Sequence, residues 1–212
     1  MEKIYCKKCV FNNHFAPTIK FNEEGICNFC LETDSLIEKY GTGKKEGEEK
    51  FSKIVEQIKK DGKGKKYDCV IGVSGGTDSS YMCYIAKKVY NLRPLAVHLD
   101  NTFNNAIATE NLRKVLQKEK IDLFTHVIDR KEAEDIYRSF FKAGVIDFDV
   151  LLDIGIPQLL YSTAKKYGIK YQLEGHSFLA ESISPLNFMY ADGKYLKSVH
   201  NKFGSLKLKT FP

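Results

Sequence analysis

Apolar residues recur at two alternating spacings through most of the chain after residue 66. Four short apolar runs predict strands at residues 67–73, 95–99, 123–128 and 170–173. Stretches with apolar residues at helical spacing follow the first three of these runs, at residues 81–89, 108–116 and 156–167. Strands that alternate with helices are typical of a parallel sheet with helices on both faces. The pattern therefore predicts an α/β fold with a doubly wound parallel sheet.

The chain before the first predicted strand has a different pattern. Residues 1–31 are rich in cysteine and turn residues and follow neither period, which predicts a small module held by metal. Residues 32–66 are polar, and apolar spacing predicts one helix there, at residues 49–60. We therefore expect a module at 1–31, a linker with one helix at 32–66 and a main domain at 67–212. Within that domain, residues 194–212 are expected to have little helical order.

Length and composition set the scale of the protein. With 212 residues and 43% hydrophobic content, the chain can form one full-sized core and a small appendage. No apolar run approaches the ~20 residues that a membrane span needs, and the amino-terminal residues lack the apolar stretch of a signal peptide. We therefore expect a cytoplasmic protein that does not bind a membrane.

The charge balance bears on the partner. The chain has 33 basic and 27 acidic residues, for a net charge of +6. A basic surface can attract nucleic acid, but proteins that read bases and phosphates favour arginine, and few of the basic residues here are arginine. A lysine-rich solvated surface is the favoured interpretation, and a nucleic-acid partner is disfavoured.

Four of the six cysteines form two C-x-x-C pairs, Cys6 with Cys9 and Cys27 with Cys30. This spacing suits four thiolates around one tetrahedral Zn²⁺. Gly25, just before the second pair, permits the tight turn of such a site. Because four thiolates leave no open coordination position, we expect zinc to have a structural role.

The most informative segment is a buried strand that leads into a glycine turn and then into a helix, at residues 68–80. The glycines lack Cβ atoms, so backbone N–H groups can approach an anion, and the helix directs the positive end of its dipole to the same place. A strand-to-helix turn with a capping Ser or Asp is the alternative. The complete S-G-G-x-D-S string favours phosphate binding. The predicted phosphate-binding residues are Ser74, Gly75, Gly76, Thr77, Asp78 and Ser79.

This string resembles the PP-loop of the ATP pyrophosphatase superfamily, and the resemblance covers about residues 67–193. It implies that the protein binds ATP, releases pyrophosphate and transfers AMP to an oxygen of its substrate. The six loop residues would hold the pyrophosphate part, and Asp78 would act in catalysis and help to hold Mg²⁺. A carbonyl or amide oxygen leaves poorly until it is joined to AMP, and Mg²⁺ would offset the charge of the pyrophosphate.

Further polar residues follow predicted strands, where ligands bind in a doubly wound sheet. Asp100 and Asn101 end the second strand, where the superfamily places the base and ribose of the nucleotide. A turn or capping role is an equal alternative for both residues. Asp153 opens a helix, and we favour capping over contact with the substrate.

The last polar segment follows the fourth predicted strand. We interpret His176 as a general acid or base or as a phosphate contact, and Glu174 or Glu181 as a ligand of Mg²⁺. A solvated loop histidine is the alternative, and the position at the carboxyl end of a strand favours function. The predicted catalytic residues are Asp78, His176 and Glu181.

The chain also resembles the N-acetyl sugar amidotransferases of surface-glycan and lipopolysaccharide biosynthesis. The segments that carry this resemblance are residues 6–30, 73–79, 153–157, 174–177, 184–186 and 192–195. The resemblance implies that ATP adenylates the oxygen of a sugar acetamido group and that ammonia then displaces AMP, which leaves an acetamidino group. A sugar carried on a nucleotide diphosphate would suit the basic surface.

The ammonia is expected to come from a partner. Residue 2 is Glu2, so we expect no amino-terminal cysteine nucleophile, and no cysteine lies in a G-x-C-x-G elbow. A separate glutaminase subunit is therefore predicted, and the sequence leaves room for a homo-oligomer. The family usually continues well past residue 212, so we expect a shortened carboxyl end, with part of the substrate site missing, dispensable or supplied by another subunit.

Two other functions stay open. PP-loop enzymes that thiolate tRNA also join zinc modules to this fold, but they need cysteines in the catalytic domain. Here that domain offers only Cys69 in a strand and Cys83 in a helix, at positions that suit small buried hydrophobic residues. The non-enzyme alternative is a zinc-bearing PP-loop relic that serves as a binding module.

Overall fold

The computed structural model describes residues 2–16, 18–181, 183, 185 and 190–211. The protein divides into two compact units. The first unit consists of Met1–Ile54 and His176–Tyr190, and the second of Val55–Gly175 and Ala191–Pro212. The predicted boundaries at residues 31 and 66, which were drawn from composition, stay predictions.

Helices follow the cysteine-rich start of the first unit. Helix α1 spans Asn28–Tyr40 and ends at Gly41, whose φ of 67° gives a left-handed cap. Helix α2 spans Lys45–Asp61 and continues into the second unit, where its Val55 and Ile58 are buried. The expectation of a single helix in the predicted linker is therefore wrong. Helix α1 was not predicted, although Phe29, Leu36, Ile37 and Tyr40 share one face of it, and none of its residues is buried.

The second unit is built on a four-stranded parallel sheet with the strand order β3-β2-β1-β4. The strands are β1 (Cys69–Gly72), β2 (Pro94–Asp100), β3 (Asp122–Val127) and β4 (Gln172–Leu173). In the register of the sheet, Val70 of β1 lies beside Leu95 of β2 and Gln172 of β4. Each strand lies at one of the four predicted apolar runs.

Helices cover both faces of this sheet. They are α3 (Thr77–Tyr84, continued by a π-helical turn at Ile85–Val89), α4 (Ala106–Glu119), α5 (Arg130–Ala143), α6 (Val150–Lys166) and α7 (Gly193–Phe203). Because crossovers between parallel strands are right-handed, α3 and α4 lie on one face and the return from β3 to β4 places α5 and α6 on the other. The doubly wound parallel fold is thus confirmed.

The main apolar core lies between the sheet and helices α5, α6 and α7. Phe140 of α5 and Leu151 of α6 are fully buried there, together with Val70 of β1. Leu196 and Val199 of α7 close the same core. The core therefore fixes the strands whose carboxyl ends carry the predicted site.

Two of these helices were absent from the sequence-based expectations. Helix α5 has apolar residues at helical spacing, Ala133, Ile136 and Phe140, but no helix was predicted between residues 128 and 156. Residues 194–212 were expected to have little helical order, and this was wrong, because α7 begins at Gly193 and buries Leu196 and Val199. The lysines between the apolar positions made this segment look polar, although its apolar residues form one buried face of the helix.

The carboxyl-terminal segment after α7 is held by two buried acids of α5. Glu132 accepts hydrogen bonds from the backbone N–H groups of Lys209 and Thr210, both at 2.8 Å. Asp135, which is 1% exposed, accepts from the N–H groups of Ser205 and Leu206 at 2.7 and 2.8 Å. Burial acts to raise the pKa of each carboxyl, but these donors outweigh it, and both pKa values are lowered.

Candidate functional site

The predicted phosphate loop leaves β1 at the carboxyl edge of the sheet. Gly75 has a φ of 83°, which residues other than glycine rarely adopt. A Cβ atom at this position would lie 2.0 Å from the carbonyl oxygen of Ala108 in α4. The loop therefore lies in close contact with α4. Glycine is required at position 75 because any other residue would strain the backbone and clash with Ala108.

Hydroxyl groups brace the loop from inside. The Ser74 Oγ accepts a hydrogen bond from the Gly76 N–H at 3.3 Å, and the Ser79 Oγ accepts one from the Ser74 N–H at 3.3 Å. The two Oγ atoms are 3.4 Å apart. The serines thus hold the turn in shape, a role that the sequence interpretation, which took them as phosphate donors, did not include.

Helix α3 begins directly after the loop. Its N-cap is Gly76, which has no side chain that could accept hydrogen bonds from the N–H groups of the first turn. These N–H groups can therefore donate to a bound anion. Thr77 and Asp78 in this turn are exposed. Gly175, which follows β4, lies so close that a Cβ there would be 3.3 Å from the Cβ of Asp78. The loop and the end of β4 therefore meet at the point where the direction of the sheet connections changes, the usual ligand position in this fold.

His98 of β2 ties the loop to its neighbouring strand. Its Nδ1 lies 2.7 Å from the carbonyl oxygen of Val73, and because a carbonyl only accepts, Nδ1 carries the proton. Nε2 then accepts from the side-chain amide of Asn104 at 3.2 Å, and the same amide donates to Asp100 at 2.8 Å. His98 and Asn104 belong to the site without having been predicted as site residues, since neither has a motif of its own.

Asp100 and Asn101 turn to opposite sides. Asp100 also accepts from the Thr102 N–H at 2.7 Å, which is the turn role that the sequence allowed. Asn101 is buried, and its amide donates to the Tyr137 hydroxyl at 3.0 Å. That hydroxyl donates to Asp149 at 2.9 Å. Nucleotide binding by Asp100 and Asn101 stays a prediction.

The bridge through Tyr137 joins three elements of the second unit. Burial, with the nearby carboxylate of Asp149, raises the pKa of Tyr137 to about 12, so its hydroxyl stays protonated at neutral pH. Burial likewise raises the pKa of Asp149. Asp149 is the N-cap residue of α6, whereas Asp153 lies in the first turn, so the interpretation of Asp153 as the cap is wrong. No sequence signal pointed to Tyr137, because its partners lie far away in the chain.

A groove of about 830 Å³ lies beside the loop that follows β2. We call it the polar groove; His98, Asp100, Thr102 and Asn104 line it on one side, and α4 and β3 line the rest. Thr102 has a φ of 68°, an outlier for a β-branched residue, and its buried hydroxyl has no hydrogen-bond partner among the residues that the structure describes. Strain and an unpaired polar atom together are typical of a ligand site.

The other predicted catalytic residues lie in the first unit. The Nδ1 of His176 is 3.2 Å from a carboxylate oxygen of Glu181, and both side chains are exposed. Phe178, between them in the chain, packs on Tyr40 of α1, with ring centroids 6.3 Å apart. Glu174 belongs to the second unit and accepts from the amide of Gln172. Two residues of the matching segments, Ser184 and Leu186, lie outside the described residues.

The four paired cysteines converge in the first unit. Their Sγ atoms all lie within 4.8 Å of one another, with 4.0 Å between Cys6 and Cys30 and 3.7 Å between Cys9 and Cys27. Four thiolates bound to Zn²⁺ at about 2.3 Å in a tetrahedron would be about 3.8 Å apart. The donor set and its spacing therefore fit zinc. Gly25 has a φ of 82°, as its predicted turn requires.

The thiols of this cluster have pKa values shifted in different directions. Burial acts to raise the pKa of Cys6, but the N–H groups of Lys8 and Cys27 donate to its sulfur and hold its pKa at about 6. Burial and the neighbouring thiols raise the pKa of Cys30. Crowded thiols of this kind are stabilised as thiolates by a cation. Over the described parts of the chain, this cluster is the single group of three or more metal-binding side chains close enough to share an ion.

The remaining two cysteines lie in the second unit. Cys69 and Cys83 are both 0% exposed. Burial raises the pKa of Cys69 to about 12 and that of Cys83 to about 11. Thiols with such pKa values are poor nucleophiles at neutral pH. Both residues pack as small hydrophobic side chains, as predicted.

Comparison with known proteins gives matches to a synthase family, to a synthetase and to an uncharacterized protein. The sequence profile of the NAD synthase family matches residues 48–149. An uncharacterized protein of Methanocaldococcus jannaschii is 29% identical over 171 residues, which is 81% of this chain and 58% of that protein. The NH(3)-dependent NAD(+) synthetase of Malacoplasma penetrans is 38% identical over 73 residues, which is 34% of this chain and 28% of that protein. The chain thus spans less than two thirds of each of these relatives.

Solved structures of two synthetases also match. The NH3-dependent NAD synthetase of Campylobacter jejuni is 17% identical, with a TM-score of 0.39 over 58% of this chain and 54% of that one. The NMN synthetase of Francisella tularensis is 19% identical, with a TM-score of 0.41 over 58% of this chain and 52% of that one.

The matched segment contains the phosphate loop, Asp100 and Asn101. Among the described residues, no helix is long and apolar enough to cross a bilayer. Residues 48–149 are NAD synthase-like in sequence, and the second unit forms a doubly wound parallel sheet with the glycine loop, residues 74–79, at the carboxyl end of its first strand.

Proposed function

We propose that the protein is an ATP-dependent, AMP-forming amidotransferase that converts the acetamido group of an N-acetyl sugar into an acetamidino group. The observation that carries the proposal is the loop between β1 and α3, where glycine backbone and an uncapped helix start meet at the ligand edge of the sheet. The NAD synthase-like segment supports the ATP and ammonia chemistry. The sugar is supported by the resemblance of the cysteine module and of the segments after β4.

The reaction has two steps. The acetamido oxygen attacks the α-phosphorus of ATP, and the bond to pyrophosphate breaks. Ammonia then adds to the activated carbon, a proton is lost, and the bond to AMP breaks. The oxygen thus leaves with AMP, which is a far better leaving group than hydroxide.

The residues of the loop would bind the departing pyrophosphate. Backbone N–H groups at the start of α3 and the hydroxyl of the exposed Thr77 would donate hydrogen bonds to an anion placed there, and the helix dipole favours its charge. Mg²⁺ would neutralise developing negative charge on the phosphates. Asp78 is the carboxylate that would help to hold it, because Mg²⁺ usually combines one or two carboxylates with substrate phosphates.

The polar groove would take the nucleoside of ATP. Asp100 lines it, and the unpaired hydroxyl of Thr102 offers a donor or acceptor to a ribose or base. His176 would act as general acid or base in the ammonia step, with Glu181 holding its Nδ1. A glutaminase subunit would supply ammonia, and a homo-oligomer is the proposed assembly.

The test is mass spectrometry of UDP-linked acetamido sugars incubated with ATP, Mg²⁺ and ammonium. The expected product is ~1 Da lighter than the substrate, because O is exchanged for NH in the displacement. AMP should form only when the acetamido sugar is present. If tRNA stimulates AMP formation and acetamido sugars do not, the thiolation alternative is correct and the proposal is wrong.

Ammonia-dependent synthesis of NAD is a second candidate, and the match to the NAD synthase family favours it. It uses the same ATP site but a carboxylate substrate. The same assay decides between the two candidates when the carboxylate precursor of NAD replaces the sugar, since the two substrates give products of different mass. Thiolation is disfavoured by the burial and high pKa values of Cys69 and Cys83.

A further inference from the structure

The loop that follows β2 separates two hollows of the second unit. Side chains of this loop enter both hollows. Asp100, Thr102 and Asn104 line the polar groove, whereas Phe103 lines a second hollow of about 520 Å³. We call this second hollow the aromatic pocket; its lining residues are Phe103, Glu134, Tyr137, Arg138, Phe141 and Lys142. The proposed function gives this pocket no ligand.

Aromatic rings form much of the aromatic pocket, and they are held in place. Phe103 makes an edge contact with Tyr137, with ring centroids 5.6 Å apart and an interplanar angle of 82°. The Tyr137 hydroxyl is fixed between Asn101 and Asp149. Phe141 stacks on Phe148 with centroids 4.9 Å apart and an angle of 23°, yet Phe141 is 65% exposed. A rigid ring in solvent offers a face on which a planar base can stack.

The charges of the aromatic pocket favour an anion beside that base. Arg138 and Lys142 lie one helical turn apart on α5 and both line the pocket. Arg138 Nη1 is 3.8 Å from Asp135, and Lys142 Nζ is 3.5 Å from the carbonyl oxygen of Phe203, so both contacts are weak. The acidic lining residue, Glu134, is bound by Arg130 at 2.9 Å. Both cations thus keep donors for phosphate oxygens.

We propose that the aromatic pocket binds the nucleoside diphosphate part of the substrate, with the base on Phe141 and the diphosphate at Arg138 and Lys142. This inference rests on the proposed function, in which the sugar is carried on a nucleotide. The volume suits one small ligand. The sugar would extend from the pocket toward the opposite side of the loop that carries Asp100. One loop would then hold ATP on one side and the substrate carrier on the other.

Because both ligands contact this loop, their binding is expected to be coupled. Phe103 lines the same pocket, so a ligand bound there restricts the loop that carries Asp100 and Asn104 into the polar groove. A second ligand that needs the same loop conformation then loses less entropy on binding. UDP is therefore expected to tighten the binding of a non-hydrolysable ATP analogue, and the reverse effect must be of the same size.

Calorimetric titration of the full zinc-loaded protein with UDP, CDP, GDP and dTDP tests the proposal without any turnover. At least one of them should bind, and Phe141→Ala and Arg138→Glu should each weaken that binding by about tenfold or more. Tyr161→Ala, at an equally exposed aromatic residue of α6, is the matched control and should bind as the unchanged protein does. Unchanged melting temperatures would show that the variants fold.

The outcomes separate this inference from the proposed function. If none of the four nucleotides binds, or if the two pocket variants bind as the control does, the aromatic pocket is not the carrier site. If a single-stranded RNA binds instead and loses affinity in the same variants, the inference is also wrong. If nucleotide binding depends on Phe141 and Arg138 but no sugar is amidinated, the pocket stands and the proposed reaction fails.

Discussion

The two units of the protein are stabilised by different kinds of contact. The second unit buries a continuous apolar core in which Phe140, Leu151 and Val70 are fully enclosed. In the first unit, α1 buries no residue, and the buried apolar side chains among the described residues include Cys6 and Cys27 themselves. A segment with so little apolar burial cannot offset the entropy of folding without a cross-link or a metal. The comparison indicates that one unit depends on its apolar core and the other on its four-cysteine cluster.

The replacement Cys27→Ser is expected to have the largest effect. Structural zinc contributes about 10 kcal/mol or more to the folding of small modules, so loss of one ligand should unfold much of the first unit. Metal analysis should show loss of zinc, and hydrogen exchange should show loss of protection at residues 2–40 while β1 and β2 stay protected. Cys83→Ala is the matched control and should keep its zinc. Zinc undiminished in Cys27→Ser would contradict the assignment.

The replacement Asp78→Ala should separate activity from stability in the second unit. Asp78 is exposed, so its loss should leave the melting temperature unchanged. If it helps to hold Mg²⁺ at the phosphates, pyrophosphate release should fall by about 100-fold or more. Glu56→Ala, at an exposed acid of α2, serves as the control and should keep full activity. Equal rates in the two variants would remove Asp78 from the site.

The replacement Glu132→Gln tests the polar part of the second unit's stability. Gln keeps one acceptor but loses the charge and places an NH₂ group among N–H donors, so about 2–3 kcal/mol of stability should be lost. Glu134 on the same helix is only partly buried and forms a surface ion pair with Arg130, so Glu134→Gln should change stability by no more than about 1 kcal/mol. Urea unfolding measures both changes. A loss confined to Glu134→Gln would show that the carboxyl-terminal segment is not held as described.

Acid should weaken the second unit through the same contacts. Glu132 and Asp135 have pKa values lowered in the folded protein, so they stabilise it fully above their unfolded pKa values of about 4. This stability is lost as the pH falls through the lower, folded values. Melting temperatures between about pH 5 and 3 should therefore decline more steeply in the unchanged protein than in Glu132→Gln. Parallel declines would contradict this account.

The double replacement of Cys69 and Cys83 by alanine should have the smallest effect. Both thiols are buried with raised pKa values, so they contribute packing and not chemistry. We expect a loss of less than about 2 kcal/mol in stability and unchanged turnover. A folded double variant without activity would favour sulfur transfer and contradict the amidotransferase proposal.

Local features were predictable from the sequence. The strand, glycine turn and helix at the phosphate loop are adjacent in the chain. The apolar runs of the central strands β1 and β2 reflect burial on both faces, whereas β3 and β4 lie at the edges of the sheet and are less buried. The cysteine spacing likewise restricts the cluster to a few geometries. Helix α1 was missed although apolar residues share one of its faces, and α7 because lysines masked its stripe.

The structure alone decided what depends on contacts between distant residues. The Tyr137 bridge between Asn101 and Asp149 and the hold of Glu132 on Thr210 join residues far apart in the chain, and no local pattern encodes such pairs. The sequence by itself determined the fold class, the glycine turn after β1 and the pairing of the four cysteines into two C-x-x-C motifs, because each depends on neighbouring residues and their spacing. Only the tertiary structure decided that the loop after β2 presents one side to the polar groove and the other to the aromatic pocket, because packing against α4 and α5 sets those directions.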